Sequence, residues 1–333
     1  MTLAVGTPMD RSLHDRLTVI DGLQYSNWDR ALFEELKAGG LSAVHATLAY
    51  WEDARATLRL IGDWHRRFER HGDLILPGRS ADDVVAAKAS GRIAIFFGFQ
   101  NCSPIEEDLS LVQIFHELGV RFMQLTYNNQ SVLGGGCYEA EDSGLTRFGR
   151  EVIAEMNRVG MVIDLSHSGE RTTLEAIAAS ARPVAISHAN PMFLHENVRN
   201  KSAGVLRALA ESGGMLGFSL YPLHIGPGCT RERFCAAVAR TAELMGVERI
   251  GFGTDTVRNW PDAVLDWMRH GRWTRGGTGP TPRWPEWPDW FRTPADFPNL
   301  TQGLLGVGFG EADVARIMGG NWLDFFRRGF APA

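Results

Sequence analysis

Nine short, largely apolar runs punctuate the chain up to residue 253, and amphipathic helical patterns separate most of them. The runs read as strands over Leu17–Asp21, Ser42–Leu48, Leu74–Leu76, Ile93–Phe97, Val120–Leu125, Met161–Leu165, Val184–Ser187, Met215–Ser219 and Ile250–Gly253. Helices are expected over Trp51–His71, Ala81–Ala89, Leu109–Leu118, Arg147–Val159, Arg171–Ala179, Ala203–Glu211 and Arg231–Met245. Several runs are apolar on consecutive residues, as suits parallel strands covered on both faces. Their number and alternation predict an α/β fold, a closed (β/α)8 TIM barrel rather than an open doubly wound sheet. The chain is expected to form one domain over 1–333.

With 333 residues, 44% of them hydrophobic and ten tryptophans among them, the chain has ample material for a large core. A net charge of -5 argues against nucleic acid or an anionic membrane as partner, since both need a basic patch. Cys102, Cys137, Cys229 and Cys235 lack zinc-type spacing, and the start Met1-Thr-Leu-Ala lacks a basic region leading into an apolar one. The expectation is therefore a cytoplasmic protein with free thiols.

Chemistry concentrates at strand ends. Met161-Val-Ile-Asp-Leu-Ser-His167, Pro183-Val-Ala-Ile-Ser-His188 and Arg249-Ile-Gly-Phe-Gly-Thr-Asp255 each close an apolar run with a metal-competent side chain. Barrel enzymes build their sites at this end of the strands. Two imidazoles and a carboxylate are a common catalytic zinc set that leaves a coordination position for water. A histidine taken singly is more often a satisfied structural residue, and the shared position of the three is what raises the metal reading.

The stretch from Trp260 to Pro298 breaks the rhythm, being rich in Trp, Pro and Gly, with Trp273, Trp284, Trp287 and Trp290 among them. Following the strand that carries Asp255, it suits a lid over the barrel mouth. An oligomer contact or a packed excursion is the equal alternative.

Most of the chain resembles the renal, or membrane, dipeptidases, zinc hydrolases of the amidohydrolase group. The resemblance rests on Gly144 to His167, on Pro183 to His188, Val198-Arg-Asn200 and Gly251-Phe-Gly-Thr-Asp255, and on Pro298-Asn-Leu-Thr301 and Gly319-Gly-Asn-Trp322 near the end. It implies a metallo-dependent hydrolase barrel in which His167 and His188 bind the second of two metals. It also implies that Asp255 is the acid/base and that Arg199 grips the substrate's carboxylate, a role suited to its planar donor fork. Tyr221 falls, more loosely, at a substrate-contacting tyrosine.

The chain departs from the family where the first metal binds. The family's Asp-Gly-His-x-Asp reads Asp21-Gly-Leu23-Gln-Tyr25, its bridging glutamate aligns with Gln100, and its Leu-Thr-His reads Leu125-Thr-Tyr127. Two divalent ions about 3.5–4 Å apart need anionic ligands to offset their repulsion, and two negative charges and an imidazole are lost. One Zn²⁺ rather than two is expected, held by His167, His188 and Asp255 with help from the Gln100 oxygen. Tyr127 and Gln100 would shape the oxyanion side.

The reading is a metal-dependent hydrolase, a dipeptidase-like metallopeptidase, cleaving an amide of a dipeptide or small carboxylate-bearing substrate with a metal-activated water. The alternatives are a non-catalytic or altered-reaction homologue binding a small amino-acid-like metabolite, and a lyase using Tyr127 and Asp255. The tryptophans suggest an N-methylated ligand, through cation–π contact. The sequence allows a homodimer. His45 reads as a buried structural histidine, His195 and His224 as substrate contacts at most, Gly134–Gly136 as a flexible loop, and Glu139, Glu141 and Asp142 as a solvated face.

Overall fold

The computed structural model describes residues 11–271 and 282–330. Ten parallel strands form one sheet: β1 (Val19–Ser26), β2 (Leu41–Ala49), β3 (Ile75–Gly78), β4 (Ile93–Phe99), β5 (Val120–Gln124), β6 (Val162–Asp164), β7 (Ala185–Ile186), β8 (Met215–Phe218), β9 (Ile250–Phe252) and β10 (Thr256–Arg258). The order β1-β2-β4-β5-β6-β7-β8-β9 returns to β1 through Asp21 opposite Phe252, which closes an eight-stranded TIM barrel. β3 lies beside the first half of β4, and β10 prolongs the path of β9 along β1 through Gln24 opposite Thr256.

The nine expected strands all form, with shifted ends. β1 runs on to Ser26, beyond the expected stop at Asp21, because Gln24 and Tyr25 pair with β10 although they interrupt the apolar run. Every residue of β1, β2 and β4 is buried, the pattern of strands covered by core on one face and helices on the other. The expected helix Trp51–His71 starts only at Ala54, because Asp53 accepts the Ala56 N–H as its cap. Helices Arg30–Ala38, Asp262–His270, Phe297–Gly306 and Asn321–Gly329 lie outside the expected set, as does β10.

The amino ends of the strands are shut. Inward residues Ile20, Ala43, Ala94, Phe96, Phe122, Val162, Ala185 and Met215 pack on Trp322, Phe325 and Phe326 of the last helix (Asn321–Gly329) and on Phe330 at its end. Trp322 is fully buried and donates its indole N–H to the Phe252 carbonyl at 2.8 Å. A Cβ on Gly251 would sit 2.9 Å from that indole and 2.7 Å from Met215, so the glycine makes room for the plug. With this end filled, the carboxyl ends of the strands face the open mouth. Among the described residues, no helix is long and apolar enough to cross a membrane.

Candidate active site

A cavity of about 90 Å³ opens at the carboxyl ends of the strands, and Gln100, Tyr127, His167, Arg199, Tyr221 and Asp255 all line it. A larger open groove of about 710 Å³ runs past Trp287 and Trp290, and none of those residues lines it. His188 lies just beneath the cavity, fully buried, with Nε2 2.9 Å from Nε2 of His167.

Hydrogen-bond partners fix where the protons sit. Gln100 donates its amide N–H to Thr47 Oγ1 and to the Tyr50 hydroxyl, both at 2.9 Å, which leaves Oε1 as the atom 3.0 Å from His167 Nε2. His167 Nδ1 lies 2.7 Å from Asn128 Oδ1, an acceptor, so that nitrogen carries the proton and Nε2 is bare. Ser187 donates its hydroxyl to Asp164 Oδ2 and therefore accepts from His188 Nδ1 at 2.8 Å. The Ser166 hydroxyl likewise donates to Asp164 Oδ1, at 2.6 Å. His188 Nε2 is bare as well.

Three lone pairs, two imidazole and one amide, thus converge with no proton of their own between them. Burial, followed by the charge of Arg199, holds both imidazoles far below the usual histidine range, so they stay neutral. Such a donor set calls for a cation. Imidazole nitrogens with their far N–H groups anchored are what a zinc ion selects, so the side chains present fit one metal. One cationic group already reaches the cluster. Arg199 Nη2 lies 3.0 Å from His167 Nε2, and Nη1 donates to the Ser166 carbonyl.

Asp255, expected as the third ligand, is not gathered into that cluster. Among the described residues no three His, Cys, Asp or Glu side chains converge as a metal group; the third lone pair belongs to Gln100. Asp255 has a left-handed backbone, φ 58°, with its N–H on the Leu23 carbonyl, and its carboxylate lies 4.0 Å from His224 Nδ1. Burial pushes its pKa up to about 7 against the pull of Arg199. Burial and then the Asp255 charge raise Tyr127 and Tyr221 above the ordinary phenol range, which places all three groups in one electrostatic neighbourhood.

Beside the imidazoles lies a wall of rings, Tyr25 and Tyr127 among them, at two of the positions where the resemblance implies first-site groups. Tyr25, Tyr50 and Tyr127 stack edge to face, Tyr25–Tyr50 at 4.6 Å and Tyr50–Tyr127 at 4.7 Å between centroids, and Tyr127 lies 4.3 Å from the His167 ring. The excursion after β10 covers this wall, with Trp260 on Tyr25 at 5.3 Å and Trp284 lining the cavity. Trp287 approaches Tyr221 from outside at 6.1 Å. Residues 272–281 of the excursion, Trp273 included, lie outside the described residues.

The loop bearing Arg199 is tied down by Asn200, which donates to the carbonyls of His195 and His224 at 2.7 and 2.8 Å. Lys201 bonds the carbonyls of Leu165 and Ser168, which flank His167. His45 holds the Gly22 carbonyl at 2.8 Å and stacks on Phe122, away from the cavity.

Two weaker expectations change. Gly134–Gly136 is buried and packed rather than flexible, since a Cβ on Gly136 would lie 2.1 Å from the Asn128 carbonyl. Asp142 is no solvated charge, because it accepts from the backbone N–H groups of Gly144 and Thr172 at 3.0 and 2.9 Å. Sequence reasoning missed Asn128, Asp164 and Ser187. A serine directly before each histidine was the available signal.

A family model of the membrane dipeptidases (peptidase family M19) matches residues 21–266. The chain is 28% identical over 284 residues to a dipeptidase, aclJ, of Aspergillus oryzae, covering 82% of this chain and 61% of that protein. It is 34% identical over 188 residues to an uncharacterized dipeptidase of Schizosaccharomyces pombe, covering 53% of this chain and 44% of that one. The chain thus spans about half the length of these curated relatives. An amidohydrolase structure from Pseudomonas aeruginosa superposes with a TM-score of 0.91 at 37% identity, over 96% of this chain and 98% of the other.

Proposed function

The chain belongs to the membrane dipeptidase family, peptidase family M19, and on that footing we propose that it is a one-metal hydrolase of small carboxylate-bearing amides, dipeptides among them. The observation that carries this reading is the convergence of bare lone pairs from His167, His188 and Gln100 beside Asp255. These three residues would hold the ion, and zinc is the one that suits them. A bound ion would supply an acidified water and a Lewis acid for the scissile carbonyl.

The remaining steps belong to the chain. Asp255, poised near neutrality, takes a proton from the attacking water and returns it to the departing amine. Arg199 offers its fork to the substrate carboxylate. The Tyr127 hydroxyl, kept protonated, donates to the oxygen that gains charge. The buried walls exclude bulk water, which strengthens each of these interactions.

The test pairs elemental analysis with product analysis on a set of dipeptides. Near-stoichiometric zinc and amide cleavage, both lost in His188→Ala, support the reading. A wild-type protein that takes up no metal when zinc is supplied rejects it.

A second reading is favoured by the rings of Tyr50, Tyr127, Tyr221 and Trp284 that share the cavity with Asp255. Such a wall suits the alkylated ammonium group of an amino-acid-like ligand. A quaternary-ammonium carboxylate that gives no calorimetric heat with the protein would remove it.

A further inference from the structure

His167 Nε2 has one lone pair, and the structure gives it to Arg199 Nη2 at 3.0 Å. A metal ion on the same nitrogen needs the same lone pair. The two partners are both cations, so they also repel each other across a buried site, where screening is weak. Arg199 is 2% exposed, and its other anchor, the Ser166 carbonyl, lies on the His167 segment. It also lines the cavity that holds Tyr127, Asp255 and Tyr221.

We propose that Arg199 is a built-in occupant of the cation site, displaced from His167 when metal binds and thereby released to take the substrate's carboxylate. The inference rests on the one-metal reading above and adds to it a coupling between metal and carboxylate. Without metal, the guanidinium satisfies the imidazole and is unavailable to an anionic ligand. A carboxylate that draws Arg199 away frees His167 for metal, so each ligand strengthens the other by the same factor. The arrangement also guards the metal-free protein, because the buried His167 lone pair would otherwise have no donor.

The experiment titrates zinc calorimetrically into chelator-stripped full-length protein, with and without saturating butyrate. Arg199→Ala is expected to bind zinc roughly ten-fold or more tightly than wild type, within the range of measured couplings. Butyrate is expected to tighten zinc binding in wild type and leave Arg199→Ala unchanged. Arg199→Met, which has comparable length but neither charge nor donor, covers the case in which the alanine variant does not fold, and it too should bind zinc more tightly than wild type. Equal or weaker zinc binding in the variant that folds, with clear binding in wild type, overturns the displacement and leaves the metal reading intact. Absence of zinc binding in wild type and variants alike overturns the metal reading, and this inference falls with it.

Discussion

Ser187 accepts the Nδ1 proton of His188 at 2.8 Å because its own hydroxyl proton is committed to Asp164. One buried carboxylate thereby decides which imidazole nitrogen of a neighbouring strand carries the lone pair. Replacing Ser187 by Ala removes that constraint without touching the cavity wall. Zinc affinity, read by competition with a chromophoric chelator, is expected to fall roughly 10–100-fold, as for other groups behind metal-bound histidines.

Gln100 contributes oxygen without charge. Gln100→Glu puts a carboxylate beside the two imidazoles, and zinc should bind more tightly, on the order of ten-fold or more, since ligand charge count sets cation affinity. Calorimetry checks this. Unchanged affinity would mean that the side chain at position 100 does not reach the ion.

Asp255 titrates near 7 in the folded chain against 3.8 as its reference value. A raised folded value means that the native state holds the proton more tightly than the unfolded chain does. Its stabilising effect is complete below about 3.8 and is lost as pH rises through about 7. Metal-free wild type should therefore lose roughly 2–4 kcal/mol relative to Asp255→Asn between about pH 4 and pH 8. Urea unfolding of both proteins across that range checks the sign. A wild type that gains stability relative to the variant would contradict it.

The same residue bears on rate. If Asp255 is the proton acceptor, hydrolysis should rise with pH through about 7 and level off above. Asp255→Asn should lower kcat by about 10²–10⁴-fold while leaving zinc content unchanged, because its carboxylate is not in the lone-pair cluster.

Trp322 plugs the closed end of the barrel, far from the cavity. Trp322→Ala should cost about 3–5 kcal/mol of stability through the cavity it leaves and the buried indole hydrogen bond to Phe252 that it removes. Denaturant unfolding checks this, and a loss below about 1 kcal/mol would show that the last helix is not integral to the barrel.

The barrel was legible because its strands are covered on both faces, which writes continuous apolar runs into the sequence. β10 was not, since Thr256-Val-Arg258 is too short and mixed to show a period and exists only because β1 lies beside it. The two histidines were legible from their position after consecutive apolar runs. Asn128 was hidden, because it lies 39 residues before His167 on another strand-end loop and meets it only once the barrel closes.

Local pattern, repeated along the chain, determined that this protein builds a closed parallel barrel and carries His167, His188 and Asp255 at strand ends. It also placed Leu23, Tyr25 and Gln100 where the family resemblance implies ligands of a first metal. Tertiary structure decided what those residues do to one another. It seated Gln100 rather than Asp255 beside the imidazoles, set both tautomers through Asn128 and the Asp164–Ser187 pair, and laid Arg199 on the lone pair of His167. These are contacts between loops far apart in sequence, fixed by strand register and loop path, and residue spacing alone carries no information about either.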